Sequence, residues 1–167
     1  MAGCGSEEEP TGTARARPAT GLGAPDDRLR PPVRELLDGS RVDIARLDRD
    51  LRRALEDAAR AARADGVHLE VTSGWRSREH QQRLLDEAVV EYGSLEEALE
   101  YVATPDESAH VTGDAVDIGP TEAADWLGRH GAAYGLCQIF ANEMWHFELA
   151  TTPGGECPPM YADGSER

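Results

Sequence analysis

The sequence predicts an α+β domain, and three observations carry that prediction. Apolar residues recur at steps of three and four over residues 43–64. Short alternating or β-branched runs stand at 68–72 and 144–149. Cap and stop residues punctuate the segments between them, and no internal repeat is present. The length of 167 residues suits one domain with a single core.

Over 43–64 the apolar positions Ile44, Leu47, Leu51, Ala54, Leu55, Ala58, Ala61 and Ala62 share one helical face, with Asp43 as N-cap and Gly66 as the stop. Residues 68–72 read as a strand that ends at Ser73-Gly74. Ser77 opens a second helix through Leu84, Leu85, Ala88 and Val89, closed by Gly93. Ser94 and Glu97 have the spacing of a capping box and start a third helix that runs to about Val102. Residues 104–113 read as loop, 114–118 as a strand and 121–130 as a fourth helix. In the last run, Trp145, Phe147 and Leu149 point to one face and His146 and Glu148 to the other.

Residues 1–32 lack apolar periodicity and contain Glu7 to Glu9 with scattered Gly, Pro, Thr and Arg. Such a stretch cannot bury enough surface to offset its ordering entropy, so it reads as a disordered tether. The folded domain is expected over 33–163, with 164–167 as a tail. The net charge is −15, and all 17 basic residues are arginine. Residues 1–83 hold 15 Arg against 15 acids, whereas 84–167 hold 2 Arg against 17 acids. Most of these carboxylates read as a solvated surface, although some could serve a cation. A chain this acidic repels phosphate backbones, so no nucleic-acid partner is expected. No run nears the roughly 18 apolar residues of a membrane-spanning helix.

Three clusters carry chemistry. They are Ser73-Gly74-Trp75-Arg76-Ser77 with Gln81, then residues 108–117, then Glu143-Met144-Trp145-His146. His110 and Asp117 are seven residues apart, a rise of about 10.5 Å on a helix, which is too far for one metal with bonds of about 2.0–2.2 Å. A turn at Gly113 would instead fold His110 back beside a strand carrying Asp117. His146, on the polar face of the last strand, would complete a set of two histidines and one carboxylate, a common catalytic zinc shell that leaves one position for water. Each residue alone has a plainer reading. His110 could be a structural histidine, Asp114 and Asp117 turn formers, and Glu143 surface charge. Arg76 could cap carbonyls or pair with Glu79.

Together the clusters resemble the zinc D-alanyl-D-alanine carboxypeptidases and dipeptidases of the VanY and VanX type. Residues 73–77 are similar to that family's Ser-Gly-Tyr/Trp-Arg-Ser motif. Residues 108–117 match Ser-x-His-x-x-Gly-x-Ala-x-Asp at every fixed position, and 143–146 match Glu-x-Trp-His. The resemblance spans roughly residues 34–150, and three motifs in order make it specific. It implies a small antiparallel sheet with helices packed around it and a zinc site in a cleft over the sheet. It implies His110, Asp117 and His146 as ligands of Zn²⁺ and Glu143 as general base. Arg76 would steady the carbonyl as charge develops, with Ser108 and Gln81 positioning substrate. Two departures, Trp75 where Tyr is common and a compact segment before Glu143, fall where substrate choice would be set.

The implied function is removal of the terminal D-Ala from peptidoglycan stem peptides by an exported, monomeric enzyme of the cell envelope. A D,D-dipeptidase, an L-alanyl-D-glutamate endopeptidase and a non-catalytic zinc module that binds wall peptides are the alternatives. In an exported protein Cys137 and Cys157 are expected to pair; in a cytoplasmic one they would stay reduced. Cys4 lies in Ala-Gly-Cys-Gly-Ser, which resembles the end of a bacterial lipoprotein signal whose cysteine receives lipid. The apolar segment of such a signal is missing, so that reading needs a trimmed chain or a misassigned start; chance at a disordered terminus is the alternative.

Overall fold

In the computed structural model, which describes Met1 and residues 41–167, the apolar stripe of 43–64 is divided between two helices. Helix α1 spans Val42–Ala45 and α2 spans Arg49–Ala64. Asp48, not Asp43, caps the long helix: its Oδ1 accepts from the N–H of Asp50 at 2.8 Å and of Leu51 at 3.0 Å. The backbone N–H of Asp48 turns away to the Gly113 carbonyl at 2.9 Å, which ends the shorter helix. The periodicity reads straight through this break because Ile44 and Leu47 enter the same core as Leu51 and Leu55. The expected tether, Cys4 and the expected domain start at Val33 lie outside the described residues.

Four strands follow the sequence order β1 Glu70–Ser73, β2 Ala115–Gly119, β3 Leu136–Gln138 and β4 His146–Leu149. They form one antiparallel sheet in the order β1-β2-β4-β3. Between β1 and β2 lie α3 (Arg78–Tyr92), α4 (Leu95–Leu99) and the single turn α5 (Ala109–Thr112). Helix α6 (Thr121–His130) follows β2. The expected caps hold at α3 and α4: Ser77 Oγ accepts from His80 N–H, Ser94 Oγ accepts from Glu97 N–H, and Gly93 ends α3 in the left-handed region.

One face of the sheet is dry. Val116 and Ile118 of β2 and Phe147 of β4 pack against the small-residue side of α2 and against Ala123, Ala124 and Leu127 of α6. Strand alternation then turns Asp117, His146 and Glu148 to the opposite face, where all three are buried. Of the three apolar residues expected to share one face of the last run, only Phe147 is buried. Trp145, 46 % exposed, precedes the strand, and Leu149, 38 % exposed, ends it. Strand β3 fell in a stretch without a periodic signal, since three residues are too few to alternate. Residues 109–112, expected as loop, form one helical turn that ends at Gly113. Among the described residues no helix is long and apolar enough to cross a membrane.

Candidate metal centre and cleft

The site is built on one register line of the sheet. Ser73 of β1, Asp117 of β2 and His146 of β4 are cross-strand partners in turn. Helix α5 brings His110 to this line. Gly113, at φ +90°, closes the helix in the left-handed region, and a Cβ there would stand 2.5 Å from the Arg46 carbonyl. That turn returns the chain into β2 within four residues. Gly74 and Trp75 lock α5 in place. The N–H of Arg76 donates to the His110 carbonyl at 3.0 Å, and the Trp75 indole N–H donates to the Val111 carbonyl at 3.0 Å.

His110, Asp117 and His146 converge. His110 Nε2 lies 3.2 Å from His146 Nδ1 and 3.2 Å from Asp117 Oδ1, which is 3.4 Å from His146 Nδ1. A tetrahedral zinc with bonds of about 2.0–2.1 Å would set neighbouring ligand atoms about 3.3–3.4 Å apart. The triangle has that size. Among the described residues, Asp117 Oδ1 is also a buried oxygen that accepts no hydrogen bond, which is costly unless a cation uses it. Two imidazoles and one carboxylate are a donor set that zinc favours.

The remaining ring nitrogens are held from behind. His110 Nδ1–H donates to the Gly74 carbonyl at 2.8 Å, and His146 Nε2–H donates to Glu148 Oε1 at 3.1 Å. Both ligand nitrogens therefore face the triangle. Burial pushes His110 below the usual imidazole range and so favours its neutral form. Burial acts the same way on His146, but without metal the Asp117 and Glu148 carboxylates outweigh it and raise its pKa to about 9. Burial alone would raise Asp117, yet the two imidazoles and Arg76 hold it far below the usual carboxylate range.

Arg76 is engaged on three sides. Its Nη2 donates to Asp117 Oδ2 at 2.7 Å, its Nε to Ser73 Oγ at 3.0 Å, and its Nη1 to Gln81 Oε1 at 3.3 Å. Among the described residues, two of its five N–H groups remain for other partners. Gln81 is buried, and its amide N–H goes to the Ala103 carbonyl at 2.8 Å. It thus braces Arg76 from below. Ser108 is buried, and its hydroxyl makes no helix cap. Glu143 Oε2 stands 3.8 Å from His146 Nδ1, beyond hydrogen-bond reach. Burial raises its pKa, and Asp117 adds to that against the pull of His146 and Arg76.

These side chains line one cavity of about 340 Å³, within the range of small-ligand sites. Its walls also include Tyr92 and Tyr101, stacked with centroids 4.6 Å apart, and Phe140, Trp145 and Arg167. Cys137, the register partner of Glu148, forms a disulfide with Cys157. Sequence reasoning missed Glu148 and Arg167 as parts of the site. Glu148 carried a signal, since it lies two residues from His146 on the same strand face; Arg167 carried none.

The sequence profile described as VanY, D-alanyl-D-alanine carboxypeptidase, matches residues 44–152. A D-alanyl-D-alanine carboxypeptidase of Enterococcus faecalis (strain ATCC 700802 / V583) is 33 % identical over 140 residues, covering 69 % of this chain and 50 % of the relative. The chain thus spans about half the length of that curated relative. Among solved structures, a mutant of the vancomycin resistance D,D-pentapeptidase VanY from the VanB-type resistance cassette, in complex with Zn(II), has a TM-score of 0.58 at 31 % identity, covering 65 % of this chain and 73 % of that one. VanYB in complex with D-alanine-D-alanine has a TM-score of 0.58 at 32 % identity, covering 61 % of this chain and 70 % of that one. With the motifs, the antiparallel sheet and the ligand triangle in place, the chain belongs to the VanY D-alanyl-D-alanine carboxypeptidase family.

Proposed function

We propose that this chain is a zinc-dependent D,D-carboxypeptidase that removes the terminal D-Ala from peptidoglycan stem peptides ending in D-Ala-D-Ala. The observation that carries the reading is the triangle of His110 Nε2, Asp117 Oδ1 and His146 Nδ1, sized for zinc, with Glu143 beside it in the same cavity. Zinc held by these three residues supplies Lewis acidity, which brings the pKa of water towards about 7.

The chain's own groups do the rest. Glu143 takes a proton from the attacking water and returns it to the leaving amine; its raised pKa suits both transfers. The free N–H groups of Arg76 meet the developing oxyanion. Ser108 lines the same cavity and positions the peptide, while Gln81 keeps Arg76 aimed. No serine or cysteine attacks, so no acyl-enzyme forms.

The reading places the protein outside the cytoplasmic membrane, where wall substrate lies and where the Cys137–Cys157 bond persists. It takes residues 33–163 as the catalytic unit, acting as a monomer, and residues 1–32 as a tether that lipid on Cys4 would anchor.

The test is D-Ala release from a synthetic stem pentapeptide by the zinc-loaded chain. The expected result is a kcat/KM for the pentapeptide well above that for free D-Ala-D-Ala. Preference for the dipeptide, or cleavage at an internal L-Ala bond, overturns the assignment of the bond.

A further inference from the structure

We propose that Glu148 and Arg167 form a positioning pair that holds His146 in its metal-binding orientation, so that part of the zinc affinity is set by the segment that carries Arg167. The proposal rests on the reading of the triangle as a zinc site.

Glu148 sits on β4, hydrogen-bonded on one side to β2 and on the other to β3, so its backbone is fixed. Its Oε1 accepts from His146 Nε2–H at 3.1 Å. In the neutral ring that metal binding requires, that bond leaves Nδ1 as the unprotonated nitrogen, and Nδ1 is the atom that faces Asp117 and His110. A buried carboxylate needs a cation to stay charged. Arg167 supplies it: Nη1 donates to Glu148 Oε1, and Nη2 donates to Oε2 at 3.0 Å. This two-pronged grip fixes the carboxylate plane as well as its charge. The Arg167 guanidinium also lies 6.0 Å from the centroid of Phe140, whose ring is 5.2 Å from the imidazole of His146.

The segment that delivers Arg167 is tied down along its length. Cys157 is bonded to Cys137, Tyr161 N–H donates to the Ile139 carbonyl at 2.9 Å, and Gly164 N–H donates to the Glu100 carbonyl at 3.2 Å. Arg167 thus reaches Glu148 from a strap rather than from a loose end. A competing role is also visible, since Arg167 lines the cleft and could grip a substrate carboxylate directly. The two roles predict different measurements.

The experiment uses the full chain with its disulfide intact, competed for Zn²⁺ against a chromophoric chelator, with kcat and KM measured in parallel. Glu148→Ala is expected to weaken zinc binding by roughly 10- to 100-fold. Glu148→Gln keeps an acceptor oxygen for His146 Nε2–H and recovers part of that loss. Arg167→Met weakens zinc in the same direction as Glu148→Ala, yet adds less than about twofold once Glu148 is already Ala, because the two act through one path. The visible spectrum of the Co²⁺ form shifts in both single variants. Zinc affinity within twofold of wild type in both, with a raised KM in Arg167→Met, overturns the proposal in favour of a substrate grip and leaves the zinc peptidase reading standing. A wild-type chain that takes up no zinc overturns both. Arg167→Met changes a part-exposed side chain, so its zinc affinity decides the matter even where Glu148→Ala does not fold.

Discussion

Replacing Arg76 with Met separates the electrostatic work of this residue from its shape, because the stem is kept and the guanidinium lost. In metal-free protein the substitution removes the partner of Asp117 Oδ2, at 2.7 Å, and the donors to Ser73 and Gln81. Breaking a buried ion pair from one side costs about 3–5 kcal/mol. Arg76 and Asp117 keep 20 % and 11 % of their side-chain surface, and the imidazoles beside Asp117 offset part of its stranded charge, so the lower end applies. The expected loss is about 3 kcal/mol, or a fall on the order of 10 °C in Tm. With zinc bound, Asp117 has a second cation, and the loss should shrink to about 1 kcal/mol, the scale of hydrogen bonds alone. Urea unfolding of wild type and variant, each with and without zinc, measures the four stabilities. A loss below 1 kcal/mol in the metal-free pair, or an equal loss with and without zinc, refutes the claim that Arg76 and the metal share Asp117.

Three further outcomes follow from the same geometry. Glu143→Gln should keep full zinc content, because Glu143 is not one of the three ligands, and lose about 10²–10⁴-fold in kcat; residual turnover above a tenth of wild type removes Glu143 as the base. Exhaustive chelation should abolish D-Ala release while a β-lactam leaves it intact, and activity at verified zero metal contradicts the site. Metal-free protein should lose stability with rising pH. The folded pKa of His146 is raised from 6.5 to about 9, so its contribution is full below pH 6.5 and lost as pH rises through about 9, a change on the order of 3 kcal/mol. Denaturation midpoints at pH 6 and pH 9.5 test this, and a midpoint that does not fall removes the buried imidazolium from the account.

How much was legible in the sequence depended on whether a signal was local. His110 and Asp117 could be joined because Gly113 stands between them, and the structure uses that glycine as the turn. His146 and Glu148 share a face by strand alternation alone. The apolar pattern runs unbroken across Asp48 and hides its role as a cap, and its bond to Gly113, 65 residues away, helps separate the two helices. The engagement of Gln81 with Arg76 and Ala103 is likewise a tertiary fact, and the resemblance implied only a substrate-positioning role for that residue. Arg167 is more distant still, reaching Glu148 through a strap that no periodicity announces.

The most direct test of the central claim is a crystal of the zinc-loaded chain with anomalous diffraction recorded on both sides of the zinc edge. The account predicts one strong difference peak within about 2.0–2.2 Å of His110 Nε2, Asp117 Oδ1 and His146 Nδ1. A triangle without a peak, or a peak whose ligands leave out any one of those three atoms, would contradict it.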